Sequence, residues 1–157
     1  MIEYRAVKKE EWELAMEMVW KTFQRFNAPE YSQEGVESFY KFIINPLLED
    51  MFIEGSYITC GAYEDDRIVG FGGYRNKNFL SMLFVDENYQ NMGIATRLVD
   101  VLSKDMIRRE QTVMRVNSSP YAIGFYENYG FVAVDERQIS VGVEYLPMEL
   151  DLTRGHI

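Results

Sequence analysis

The stretch with the clearest capacity for chemistry is Gln90-Asn91-Met92-Gly93-Ile94-Ala95-Thr96. Ahead of it runs a short apolar segment, Met82–Val85, and then a polar turn, Asp86–Asn91. After Gly93, the residues Ile94, Leu98, Val101 and Leu102 recur at helical spacing. The order is therefore strand, tight loop, helix. A helix start leaves backbone N–H groups without internal partners, and the helix dipole makes that end positive. Such an end binds phosphate. Gly93 and Ala95 are small, so the backbone is open to close approach, and Thr96 and Arg97 add side-chain donors. Taken alone, the same six or seven residues also read as a strand-to-helix connection that needed a glycine.

A second block lies downstream: Val116-Asn117-Ser118-Ser119-Pro120-Tyr121-Ala122-Ile123-Gly124-Phe125-Tyr126-Glu127-Asn128-Tyr129-Gly130-Phe131. The two blocks, in this order and at this spacing, resemble the GNAT superfamily of N-acetyltransferases. Gln90, Gly93 and Ala95 fit that family's Gln/Arg-x-x-Gly-x-Gly/Ala signature, and the second block resembles its strand-helix element ending in Phe-Tyr-x-x-x-Gly-Phe. The resemblance covers roughly residues 1–150, the first third only in pattern. It implies a mixed α/β sheet of the GNAT type and a single domain over 1–157. It also implies acetyl-CoA as co-substrate, with no metal, and transfer of its acetyl group to a primary amine in a ternary complex.

The resemblance also implies roles for residues. The strand Leu83-Phe84-Val85 would pair with the pantetheine arm, the amide near Leu83 would face the thioester oxygen, and the amides of Asn91, Met92, Gly93, Ile94, Ala95 and Thr96 would take the pyrophosphate. Asn117 would hold the cofactor arm, or else cap the helix that follows it. Tyr126 would stand near the thioester sulfur as general acid. A phenol titrates near 10 and a thiol near 8.5, so it is protonated at neutral pH. Its other reading is a packed ring that orders the cofactor. The segment covering the acceptor would be Phe26–Ser32, which makes Glu30 and Tyr31 the acceptor-side residues. No acid occupies Phe79-Leu80-Ser81-Met82, where some relatives carry a glutamate. A water chain is therefore the expected proton acceptor, ahead of Glu30 or Glu54.

Several elements must position these groups. Ile2–Val7 alternates as a strand; about Glu10–Arg25 is an amphipathic helix, broken at Asn27-Ala28-Pro29. Ser32 caps a second helix that ends or kinks at Asn45-Pro46. Ser56–Tyr63 and Arg67–Tyr74 form a hairpin about Glu64-Asp65-Asp66. Gly70, Gly72 and Gly73 lack dinucleotide-fingerprint spacing and mark a bulge or a close backbone approach. Strands Phe79–Val85, Val113–Asn117, Phe131–Asp135 and Val143–Leu150 and helices at about Gly93–Arg109 and Pro120–Tyr129 complete the chain. The expectation is about seven strands and four helices.

Composition narrows the partners. Net charge is -9 over 157 residues, which argues against nucleic acid and leans toward a cationic amine, small or on a protein. No run has the length of a membrane span or a signal peptide. The one cysteine, Cys60, forms no intrachain disulfide and fits a reducing cytoplasm. His156, the single histidine, leaves Ser/His and Cys/His catalysis improbable. A homodimer is open. Two other functions are also open: an acyltransferase using a longer acyl-CoA, and a CoA-binding sensor without turnover.

Overall fold

The computed structural model describes residues 1–154. His156 lies outside the described residues. The elements are β1 (Ile2–Arg5), α1 (Trp12–Phe26), α2 (Gln33–Ile44), α3 (Pro46–Glu54), β2 (Ile58–Glu64), β3 (Arg67–Arg75), β4 (Phe79–Val85), α4 (Ile94–Arg108), β5 (Val113–Ser118), α5 (Ile123–Tyr129), β6 (Val132–Ala133), β7 (Gln138–Ser140) and β8 (Val143–Asp151). Short 3-10 turns join several of them. Eight strands form a mixed sheet in the order β1-β2-β3-β4-β5-β8-β6, with β7 paired to β8. All the pairings are antiparallel except β4 with β5.

The counts differ from the sequence reading by one strand and one helix. Asn45-Pro46 reads in sequence as the end or a kink of a helix; α2 ends there, and the Asn45 side chain also caps the next helix, accepting from the Leu47 N–H at 3.0 Å. Pro46 then sits in the first turn of α3, where its missing N–H costs nothing. The added strand, β7, is three residues of an edge hairpin, too short and too polar to show a period. Ser32 caps α2 as expected, accepting from the Gly35 N–H at 3.1 Å. Asp65 and Asp66 both adopt left-handed backbone (φ +49° and +67°), which the tight β2–β3 hairpin requires.

Each sheet face carries its own core. Leu98, Leu102 and Met106 of α4 cover one face together with Tyr126 and Phe131. Trp12, Met16 and Val19 of α1, with Ile43 and Leu48, cover the other. Glycines let α4 approach: a Cβ on Gly70 would stand 3.0 Å from Ile94, and one on Gly72 2.9 Å from Leu102.

Glu11 fastens α1 to the sheet. Its carboxylate accepts from both Arg5 guanidinium nitrogens (3.0 and 2.8 Å), the Lys8 N–H (2.8 Å) and the Tyr63 hydroxyl (3.0 Å). The hydrogen-bonded Arg5 pulls the Glu11 carboxyl from 4.5 down to about 2. A lowered carboxyl stabilises the fold above the unfolded value and loses that effect as pH falls through the folded one. Glu11→Gln is therefore expected to cost on the order of 2 kcal/mol at pH 7. In thermal melts, the gap from wild type should close as pH falls from 4.5 toward about 2. A gap that is constant over that range would refute the assignment.

Candidate active site

Strands β4 and β5 run side by side for only two residue pairs, Phe79 with Arg115 and Leu80 with Val116. Beyond these they separate. In β4, Ser81 has no partner on β3: Gly73 faces Met82 while Tyr74 faces Leu80. The extra residue shifts the side-chain alternation. Leu80, Leu83 and Val85 pack on the α4 face, whereas Ser81, Met82 and Phe84 point to the α1 face. Ser81 is held there by the Tyr57 hydroxyl at 2.8 Å. A bulge of this kind bends and twists its strand, and here it turns β4 away from β5.

The separation opens a cleft of about 600 Å³. The Asp86 N–H donates to the Val69 carbonyl on β3 at 2.9 Å. Backbone groups alternate along a strand, so those of Phe84 also face β3. Those of Leu83 and Val85 face the open side, where no strand meets them. The Gln90 side chain braces the following loop, its Nε2 donating to the Val85 carbonyl at 2.5 Å.

At the cleft's α4 end the chain turns twice through left-handed backbone, at Asn91 (φ +61°) and Gly93 (φ +78°). The first helical bond runs from the Arg97 N–H to the Gly93 carbonyl at 3.1 Å. The N–H groups of Ile94, Ala95 and Thr96 precede it and have no helical acceptor. No side chain caps this end, in contrast to α2 and α3. A Cβ on Gly93 would meet nothing within 4 Å, so the space above the loop is clear. Gly93 is required by its φ and by that clear approach, and no neighbouring protein atom crowds it.

Most residues singled out in the sequence line this one cleft: Tyr31, Leu83, Phe84, Val85, Gln90, Asn91, Gly93, Ile94, Ala95, Thr96, Asn117 and Tyr126. Four others do not. The Met92 side chain is 59% exposed and turns to solvent, leaving only its amide to the loop. Arg97 lies over the Tyr4 ring, 5.1 Å from its centroid, and not over the loop. Glu30 is exposed and lines no part of the cleft, and the same holds for Glu54. Asn117 does not cap a helix, because the turn after β5 begins at Ser119. Cys60 is buried, with its thiol pushed up to about 11 by burial.

Tyr126 is gripped edge-on by Phe125 (5.3 Å between ring centroids) and Phe131 (5.0 Å). Burial pushes its phenol well above the ordinary value. Among the described residues its hydroxyl has no hydrogen-bond partner, and it is not sealed within the core. The hydroxyl therefore opens onto the cleft.

Several lining residues carry no site role in the sequence reading beyond lying in an apolar helix face, the Phe26–Ser32 segment or the Val116–Phe131 block. Thr22, Phe23 and Asn27 at the end of α1, Phe39 of α2, and Tyr121 all line the cleft. Phe26 stacks on Tyr121 at 5.3 Å and 21°, and Asn27 Nδ2 donates to Ser119 Oγ at 3.2 Å, so the end of α1 is tied to the turn after β5.

The family model for the acetyltransferase (GNAT) domain matches residues 27–152. The chain belongs to the GNAT family. It is an acyltransferase on that ground, and its eight-stranded mixed sheet is the GNAT fold. A GCN5-related N-acetyltransferase from Rhodopseudomonas palustris is similar at 22% identity and TM-score 0.83, over 95% of this chain and 94% of that one. PaiA N-acetyltransferase from Thermoplasma acidophilum, solved with coenzyme A, is similar at 21% identity and TM-score 0.81, over 96% and 99%. The ribosomal-protein-S18-alanine N-acetyltransferase of Escherichia coli gives 17% identity and TM-score 0.66, over 97% and 94%. At these identities the likeness to each GNAT structure is one of fold. No curated protein sequence matches the chain. Among the described residues, no helix is long and apolar enough to cross a membrane.

Proposed function

We propose that the chain is a cytoplasmic N-acetyltransferase, one catalytic domain throughout, that moves the acetyl group of acetyl-CoA to a primary amine by direct attack in a ternary complex. The observation that carries this reading is the splayed β4–β5 pair. Its open Leu83–Val85 edge lies in one cleft with an uncapped helix N-terminus and with Tyr126.

The residues fit a CoA thioester. The amides of Asn91 to Thr96 and the start of α4 suit a pyrophosphate. The open backbone groups of Leu83 and the Val85 N–H suit an amide-bearing arm laid alongside as a further strand, with Asn117 on the facing strand. When bound, acetyl-CoA supplies the activated acyl group. The chain positions the thioester beside the amine, a contribution worth about 7–11 kcal/mol in favourable systems. The Leu83 N–H stabilises the developing oxyanion, and Tyr126 donates to the departing sulfur.

Among the described residues, no Asp, Glu or His lines the cleft. The amine's proton therefore leaves through water, and Glu30 and Glu54 are not assigned as base. Tyr31 and Asn27 mark the acceptor side. Burial raises the Tyr31 phenol to about 12, so it is a neutral hydrogen-bonding group there.

A thermal-shift titration with acetyl-CoA, CoA and a nicotinamide nucleotide tests the reading. A ligand specific to the folded state adds about 2.7 kcal/mol at a hundredfold excess over Kd. Both CoA species should raise Tm and the nicotinamide nucleotide should not. No shift with either CoA species would end the acetyltransferase assignment.

A further inference from the structure

The cleft passes through the sheet. Its cofactor-side residues, such as Ile94, Val85 and Tyr126, belong to the α4 face. Its far half opens among α1 and α2, on the face that holds Phe39 and Phe84. We infer that this far half takes a primary amine carried on an apolar or aromatic body, and that polycations are not its substrates. The inference rests on the acetyl-transfer reading and narrows its acceptor.

The far wall is a run of rings. Phe23 stacks on Phe39 at 4.2 Å and 14°, Tyr31 meets Phe23 edge-on at 5.3 Å, and Phe39 leans on Phe84 at 5.6 Å. Phe26 and Tyr121 add a stacked pair at its edge. Aromatic surface of this kind rewards an apolar or aromatic partner by area and by ring-on-ring geometry.

The charge of -9 is not in this half of the cleft. No carboxylate lines it. Two charged groups stand just outside its wall: the Arg25 guanidinium, 5.0 Å from the Phe26 ring centroid, and Glu30, which acts electrostatically on Tyr31 without lining the cleft. Arg25 is in turn paired with Glu87 at 3.1 Å, which leaves that carboxylate neutralised. A polyamine or an aminoglycoside would place several ammonium groups here with no counter-charge, and an unpaired buried charge is strongly unfavourable.

Polar side chains on this wall can hold one nitrogen. Asn27 is buried and donates an amide N–H to Ser119, so its carbonyl oxygen is left to accept from an amine. The hydroxyls of Tyr31 and Tyr121 also line the cleft. A neutral wall favours the free-base amine over the ammonium. The free base is the form that attacks a thioester, so a cleft without a carboxylate and a substrate entering as free base are mutually consistent.

The test uses the full chain with saturating acetyl-CoA. Initial rates of thiol release are measured for 2-phenylethylamine and hexylamine against spermidine and kanamycin, and the CoA thermal shift is recorded on the same sample. The apolar amines should lead by about tenfold or more in kcat/KM, the scale on which such pockets discriminate. Phe26→Ala should lower kcat/KM for 2-phenylethylamine several-fold and leave the CoA shift unchanged. A CoA shift together with equal or better turnover of spermidine or kanamycin, or with no turnover of any of the four, overturns the inference while leaving CoA binding in place. Loss of the CoA shift itself overturns the acetyl-transfer reading as well.

Discussion

Tyr126→Phe is expected to lower kcat by on the order of 10²-fold, the lower end of what a positioned proton donor contributes, with CoA affinity unchanged. The substitution is clean. The ring is held by Phe125 and Phe131, and the hydroxyl makes no bond to the protein, so removing it leaves packing and stability intact. What disappears is the hydroxyl proposed as the proton donor to the sulfur. The phenol is made a weaker acid by burial, yet the same dry surroundings raise the basicity of a leaving thiolate, so donation stays matched as the C–S bond breaks. A phenol raised above its ordinary value of about 10 stays neutral through the whole working range, so no Tyr126 limb should appear in the pH profile of kcat below about pH 10. The measurement is thiol release with both substrates saturating, alongside a CoA dissociation constant. A kcat within a factor of about two of wild type would assign Tyr126 to packing alone.

Gly93→Val is expected to weaken CoA binding by about 30- to 100-fold, equivalent to 2–3 kcal/mol and to the loss of one or two charge-assisted hydrogen bonds. Two effects combine: a branched side chain at φ +78° is strained, and its methyls fill the clear space above the loop. Gly55→Val separates them. Gly55 has φ +92° at the end of α3, a Cβ there also meets nothing within 4 Å, and it lines no part of the cleft. Both variants should lose stability by a similar amount, about 1–2 kcal/mol or more for a left-handed branched residue. Only the Gly93 variant should lose affinity, as read by calorimetric titration. Equal affinity for the two variants would remove the pyrophosphate from the start of α4.

What the sequence made legible was local. Gln90 to Thr96 and Phe125-Tyr126 with Gly130-Phe131 carry their geometry in a few adjacent residues, because a glycine at positive φ and a helix start are short-range events. Ser81 shows the other case. Its bulge depends on register against β3, and the side-chain inversion that follows cannot be seen in Phe79–Val85 read alone. Asn27 and Phe23 were visible as a helix end and a buried helix face, while their place on the cleft wall depends on Ser119 and Phe39, distant in the chain. Net charge is another case: the value of -9 is a sum over the chain and does not say where the acids sit, and among the described residues none lines the cleft. Asn45-Pro46 reads as the end or a kink of one helix, and α2 does end there; that Pro46 also starts the next helix depends on the Asn45 cap.

The passage of the cleft through the sheet also bears on how such a protein changes over generations. On the proposed reading, donor contacts and acceptor contacts are built on opposite faces, from different cores. Substitutions at Phe23, Phe26 or Tyr31 would then redraw the acceptor wall without touching the loop before α4 or the edge of β4, whereas Phe39 packs on Phe84 of that edge. Drift on one face can thus try out new amines while the thioester machinery on the other is inherited intact, a division that lets one scaffold diversify in substrate without reinventing its reaction.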